Sequence, residues 1–354
     1  MTEARACINA IGCAVPDQDI HHAFIEWAGR QVEGDVDRRL FRRMAGRSGI
    51  NHRWSVLPLT PDGGSPVETG GFYADRMPTT ATRMRRYAKY APLLALRAID
   101  NLRERVALDG LSHLVVASCT GFVAPGIDQM IAARLGIPDV ERTLIGFMGC
   151  YAAVAALRTA RHIVRSEPDA RVLVVTVELS SLHLQAEQQI ERLLMMLQFG
   201  DGAAAALVTA AGEGLWIDRT FAINLADAAD LIRWNIGDTG FKMHLSGEVP
   251  GRIQAALRDD RTRQRMLGMD APADVDHWAV HAGGRSILDA VENGFDLDDQ
   301  ALAASRGVLA RFGNMSSSTL MFILAEKIAG FGKGVALAFG PGLAAEGFRF
   351  ERSG

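Results

Sequence analysis

At 354 residues the chain is long enough for two domain-sized halves, and a composition of 48% apolar and 22% charged residues excludes disorder and low complexity. Lys and Arg number 38 against 41 Asp and Glu, a formal charge of -3, which excludes the basic excess of a nucleic-acid-binding surface. No apolar run approaches the roughly 18 residues of a membrane span, the first ten residues lack a signal core, and the 4 cysteines are too scattered for a disulfide scaffold or metal site, so a cytoplasmic protein is expected.

In chain order, the Pro-, Gly- and Thr-rich stretch 55–71 predicts a surface loop. Residues 113–118 (HLVVAS) predict a buried strand, 126–135 a helix closed by Gly136 and Pro138, and 143–147 a short strand. An Ala-rich helix is expected over 151–165, ending before Pro168. The clearest buried strand follows at 171–177, and another at 203–209 after the turn Gly200-Asp201-Gly202. The stretch 218–250 has no clean period and predicts an excursion that covers a site. The second part repeats the plan: a strand at 277–280, helices at 284–292 and 318–328, and a strand at 335–339 that ends in Gly340-Pro341-Gly342. Buried strands between helices indicate an α/β sheet covered on both faces. The spacing also repeats. Cys150 follows the loop that opens at Ser118, Asn314 follows the loop that opens at His281, and the two separations differ by one residue. We read this as a duplication, with an N-terminal half over 1–212 carrying the Cys and a C-terminal half over 213–354 carrying the His and Asn.

Three residues stand where chemistry is expected. Cys150, in Gly149-Cys150-Tyr151-Ala152, lies between a strand and a helix, where the helix dipole and free N–H groups favour a thiolate. His281 ends a strand and faces Ala282-Gly283-Gly284, at the strand tips where α/β folds place ligands. Asn314, in Gly313-Asn314-Met315-Ser316, can give its amide N–H to an oxyanion. Each has an ordinary structural alternative: an inert buried thiol, a satisfied core His, a helix N-cap. Together they form a Cys-His-Asn set that suits either hydrolysis or carbon–carbon bond formation on thioesters.

These three segments, with Phe199-Gly200-Asp201-Gly202 and Phe339-Gly340-Pro341-Gly342-Leu343, resemble the type III polyketide synthases of the chalcone synthase superfamily, in order and separation over nearly the whole chain. The stretches SCTGFVAPG, FMGCYAA, MHLSGEVP and WAVHAGGRSILDAVE look most like bacterial alkylpyrone and alkylresorcinol synthases. The resemblance implies a thiolase-like αβαβα layered fold of two duplicated halves, a homodimer, and catalysis with acyl-CoA and malonyl-CoA but no cofactor. It puts the nucleophile on Cys150, completed by His281 and Asn314. The aromatic gatekeeper falls on Phe199 and the second gate position on Met243, a softer thioether. Cavity-lining positions fall on Cys119, His183 and Trp234, with Ser316 near Cys150. Contacts to the CoA phosphates fall on Arg43 and Arg47; a third basic position of the family is Leu40 here, beside Arg39. In this reading an imidazolium on His281 keeps Cys150 ionised, and decarboxylation of malonyl-CoA itself makes the carbon nucleophile, so no carboxylate base is required. Glu178 is expected to be a structural hydrogen-bond acceptor. Against this stand a ketoacyl-synthase-like enzyme that condenses once or joins two acyl chains, a Cys-His-Asn hydrolase, and a non-catalytic acyl-binding homologue.

Overall fold

In the computed structural model, which describes residues 4–74 and 76–352, nine strands drawn from both halves join in one sheet, and two further strand pairs stand apart from it. The N-terminal strands are β1 (Ala6–Ala14), β2 (Gln18–Asp19), β3 (Trp54–Ser55), β4 (His113–Ser118), β5 (Glu141–Gly146), β6 (Val172–Leu179) and β7 (Asp201–Thr209). The C-terminal strands are β8 (Leu215–Asn224), β9 (Ile232–Gly237), β10 (Gly240–Leu245), β11 (His277–Val280), β12 (Gly332–Gly340) and β13 (Ala344–Arg352). The first helices are α1 (His21–Gln31), α2 (Asp35–Ala45), α3 (Thr80–Arg103), α4 (Ile127–Leu135), α5 (Ala152–Ser166) and α6 (Ile190–Met196). The remainder are α7 (Val249–Arg258), α8 (Asp260–Leu267), α9 (Arg285–Phe295), α10 (Ala303–Phe312) and α11 (Ser317–Lys327).

The sheet order β5-β4-β6-β7-β1 continues as β8-β13-β12-β11. Read outward from the joint between β1 and β8, the second set follows the first strand for strand, less the outermost. Pairing senses also agree: β4 and β6 run parallel as do β11 and β12, and the next two ladders inward are antiparallel in both halves. This is the duplication expected from the loop spacing.

Period-two alternation splits the strands between three cores. Leu114, Val116, Leu173 and Val175 face the core under α3; their neighbours Val115, Ala117, Val172 and Val174 face a central core with α5 and α11. In the second half Ala336 and Ala338 join that central core, while Val335 and Leu337 turn to the core that holds α7 and α9. The layers therefore run helix, sheet, helix, sheet, helix, with α5 and α11 buried between the two halves of the one sheet. The small side chains of α5 (Ala152, Ala153, Ala156 and Ala160, all buried) let that middle layer pack closely. Both central helices begin at the loops that carry Cys150 and Asn314. The excursion at 218–250 resolves into the end of β8 and the hairpin β9–β10, whose residues form one wall of a cavity.

Candidate active site

Glycines decide how the loops meet. Gly149 has φ +79, and a Cβ there would collide with the ring of Pro341, so the nucleophile turn can rest on the Phe-Gly-Pro-Gly loop only with glycine. Tyr151 closes the same contact from the other side: a Cβ on Gly340 would stand 2.6 Å from its ring. Cys150 is thereby held one residue ahead of Tyr151, the N-cap of α5, and is 8% exposed.

Asn314 arrives on a two-residue bridge. Its N–H donates to Gln198 O at 2.8 Å and its carbonyl accepts from Gly200 N–H at 3.0 Å, so Phe199 and Asn314 lie side by side. The amide of Asn314 is oriented by two bonds: Oδ1 accepts from Ser316 N–H at 2.8 Å, and Nδ2 donates to Gly283 O at 3.1 Å. The other Nδ2 hydrogen is turned toward Cys150, where it is available to an acceptor bound at the sulfur. Ser316 sits in the left-handed region at φ +49, a strained conformation for a serine, and its Oγ lies 3.9 Å from Cys150 Sγ. His281 reaches the same place through Gly283: its Nε2 lies 3.8 Å from the Cβ position of that glycine. The Cys150, His281 and Asn314 loops are thus linked through Ser316 and Gly283.

Among the described residues neither ring nitrogen of His281 has a hydrogen-bond partner, and both are buried. Buried unpaired polar groups are rare enough in folded proteins that each needs a reason, and a catalytic role is one. Burial alone pushes the imidazole down to about 3. It also pushes the Cys150 thiol up to about 12, opposed by hydrogen bonding with Ser316 and Asn314 and reinforced by the charge of Glu178. Desolvation thus acts on both groups in the same sense, disfavouring the ionised sulfur and the ionised imidazole alike. Glu178 is buried too. It accepts from Cys119 N–H, Thr120 Oγ1 and Ser317 Oγ, as expected of a structural acceptor, and burial still raises it to about 7.

A cavity of about 520 Å³ opens beside this junction. Phe199, Met243, His183 and Trp234 are all in its wall. Met243 stands opposite Trp234 in the β9–β10 register, and the Trp234 and Phe199 rings pack edge to face with centroids 6.4 Å apart. Cys119 and Ser316 are placed differently: neither lines the cavity. Cys119 Sγ accepts from Gly149 N–H at 2.9 Å, which puts it behind the nucleophile turn. His183 shows the cavity only its ring face. Its Nδ1 accepts from Phe241 N–H, its Nε2 donates to Thr120 O, and burial holds it down near 3. Cys150, His281 and Asn314 do not line this cavity either; Phe199 separates it from them, with its ring in the wall and its backbone bridged to Asn314.

The models of the chalcone and stilbene synthases match the N-terminal domain over residues 1–212 and the C-terminal domain over residues 219–352. The chain belongs to the chalcone and stilbene synthase family. It is a polyketide synthase, an enzyme of the acyltransferase type. Curated relatives include the alpha-pyrone synthesis polyketide synthase-like Pks18 of Mycobacterium tuberculosis and of Mycobacterium bovis. Each is 35% identical over 291 residues, which cover 77% of this chain and 74% of the relative. Among solved structures, PKS-I of the brown alga Ectocarpus siliculosus has a TM-score of 0.87 at 28% identity, with 100% of both chains covered. The C-terminal type III polyketide synthase domain of Steely1 from Dictyostelium, at 23% identity and a TM-score of 0.86, covers 98% of this chain and 99% of that one and supports the fold.

In this synthase Arg43 and Arg47 are exposed on and just after α2, and no side-chain partner is seen for them among the described residues. Arg285 Nη1 donates to Arg47 O at 3.3 Å, which places Arg47 over the helix that follows the His281 loop. Leu40 is 37% exposed and Arg39 beside it points to solvent. Sequence reasoning missed most of the cavity wall, Phe241, Ser180 and Arg53 among it. Phe241 is on the same face of β10 as Met243, two residues before it, and alternation alone would find it. Ser180 and Arg53 carry no such signal.

Proposed function

We propose that this synthase loads a long-chain acyl group from acyl-CoA onto Cys150, extends it iteratively with malonyl-CoA, and cyclises it to an alkylpyrone or alkylresorcinol. The observation that carries the proposal is the buried junction of Cys150, Ser316, Asn314, Gly283 and His281, beside a cavity walled by Phe199, Met243 and Trp234. Its volume is in the usual range for small-molecule sites. The pyrone is favoured by the likeness to relatives whose printed name includes alpha-pyrone synthesis.

The chemistry follows from the geometry. When acyl-CoA enters, the thiol proton of Cys150 moves to His281, and the sulfur attacks the acyl carbonyl. CoA leaves as thiolate and takes a proton from solvent. Malonyl-CoA then places its thioester oxygen between His281 Nε2–H and the second Nδ2–H of Asn314. Cleavage of the carboxylate carbon bond releases CO2 and leaves the electron pair as an enolate on that oxygen. Donors of this kind are worth roughly 2.7–4 kcal/mol each in a water-excluded site. The enolate carbon attacks the acyl-Cys150 carbonyl and the Cys150 thiolate leaves; the lengthened chain is then a CoA thioester, and attack of the Cys150 thiolate on its carbonyl returns the chain to the sulfur and expels CoA as thiolate. Phe199, at the border between cavity and junction, presents an apolar face to the malonyl carboxylate and excludes water. Arg43 and Arg47 meet the CoA phosphates at the surface. The protein works as a homodimer without a carrier protein or further cofactor, in a reducing cytoplasm where its 4 free cysteines stay unpaired.

The test is mass spectrometry of products from the purified protein, a series of acyl-CoA lengths and labelled malonyl-CoA. Cyclic products extended more than once from long-chain starters are expected. Products extended once, or strict need for a carrier protein, would favour the ketoacyl-synthase-like alternative and overturn the reading.

A further inference from the structure

Arg53 has no part in the acyl-transfer chemistry, yet it is 1% exposed and lies in the cavity wall beside the gate. Burying a guanidinium is costly unless its donors are used. They are: Nη1 donates to Phe199 O at 3.0 Å and Nε to His21 Nδ1 at 3.0 Å. Its backbone N–H donates to Asp19 Oδ1, which also takes the N–H of His21, so the base of the side chain is anchored. Its methylene stem fills the space where a side chain at 313 would stand, with Cγ 2.8 Å from the Cβ position of Gly313. No carboxylate lies within ion-pair distance of the guanidinium among the described residues, and its contacts are with His21, through Nδ1 and the carbonyl, with the backbone that carries Phe199, and with the glycine that precedes Asn314. Those two segments are already bonded to each other through Gln198 and Gly200.

We propose that Arg53 is a positioning residue that locks Phe199 and Asn314 into one unit, so that the gate ring and the amide donor keep a fixed separation while malonyl-CoA loses CO2. The inference rests on the roles given above to Phe199 and Asn314. A fork with two directions is needed, since one side chain must hold Phe199 O and His21 Nδ1 at once. A lysine keeps the charge and most of the stem but cannot bridge both.

Arg53→Lys and Arg53→Met test this in the full-length protein, with three readouts: acyl loading of Cys150 by intact-protein mass, acetyl-CoA release from malonyl-CoA, and the ratio of short, early-released products to fully extended ones. Loading is expected to stay within about twofold. Decarboxylation should fall about tenfold or more in kcat with little change in KM, and the early-released share should rise. A purely structural arginine would lower all three readouts together, in proportion to folded protein, and that result overturns the proposal, as does a folded variant with wild-type decarboxylation and product ratio. If neither variant folds, His21→Gln carries the test by removing the Nε partner and leaving Arg53 in place; a smaller fall in the same direction is expected, and unchanged ratios are contrary. Wild-type protein that makes no product from CoA substrates overturns both readings, whereas unchanged variants of an active enzyme overturn only this one.

Discussion

Cys150, His281 and Asn314 are brought together by backbone more than by their own side chains. Gly149 lets the nucleophile turn rest on Pro341, Gly283 takes the Asn314 amide, and Ser316 accepts a strained φ to point at the sulfur. The division of labour predicts unequal losses. Cys150→Ala should abolish acyl loading. His281→Ala and Asn314→Ala should keep some loading but lower malonyl decarboxylation about 100-fold or more, measured as acetyl-CoA release. Normal decarboxylation in both would remove them from the role. A second prediction concerns pH. The folded state keeps His281 neutral down to about 3, against 6.5 for a free imidazole. That contribution to stability is complete above pH 6.5 and is lost as pH falls towards 3. His281→Gln lacks it, so below pH 6.5 the wild type should lose about 1.4 kcal/mol per pH unit relative to the variant in denaturant titrations. Parallel pH curves would contradict a buried neutral imidazole. These three residues were legible because each follows a glycine or a strand end before a helix. Arg53 was not, since an arginine in sequence reads as surface, and only tertiary contacts reveal that Phe199 O and His21 use its donors.

The hairpin β9–β10 forms one wall of the cavity, and in the proposed function it selects the acyl chain. Met243 and Trp234 face each other across it, with Phe241 two residues from Met243 on the same face. Met243→Phe should shorten the longest acyl-CoA accepted, by replacing a flexible thioether with a rigid ring, while Trp234→Ala should lengthen the products. Identical product distributions over the acyl-CoA series would show that the hairpin is not a selector. The sequence signal for this hairpin is weak for a physical reason: Ile232, Gly240 and Phe241 are buried, the other residues are half-buried or exposed, and consecutive residues of β10 line the cavity, so the alternation blurs. Helix α3 is hidden differently. Pro92 lies in its middle, where proline ordinarily argues for a stop, but Ala91, Leu94, Ala95, Ala98 and Ile99 are buried against β1, β6 and β7, and packing overrides the local penalty. In β13 the charged residues Glu346, Arg349 and Glu351 obscure the alternation of Phe348 and Phe350.

At the scale of the molecule, the duplication was readable because each half needs the same strand, loop and helix to deliver its catalytic loop. The layered consequence, with α5 and α11 meeting in the middle, needed the sheet order. That order also leaves β5 as an edge: it pairs with β4 alone within the chain, and its residues are almost all exposed. Leu144 within it is 47% exposed, and Phe122, in the loop after β4, is 45% exposed. An open edge flanked by apolar side chains is a template for a second copy, and we place the proposed homodimer contact there. Leu144→Arg should convert the dimer to a monomer in light scattering coupled to size exclusion; an unchanged mass would move the contact elsewhere. The central claim is that the chain grows on one sulfur, fed directly by CoA thioesters. Peptide mass spectrometry of protein mixed with a long-chain acyl-CoA and then chased with malonyl-CoA tests it most directly. The account predicts an acyl mass on the peptide containing Cys150 that increases by successive C2H2O units. A label on another residue, or an acyl group that never lengthens, would contradict it.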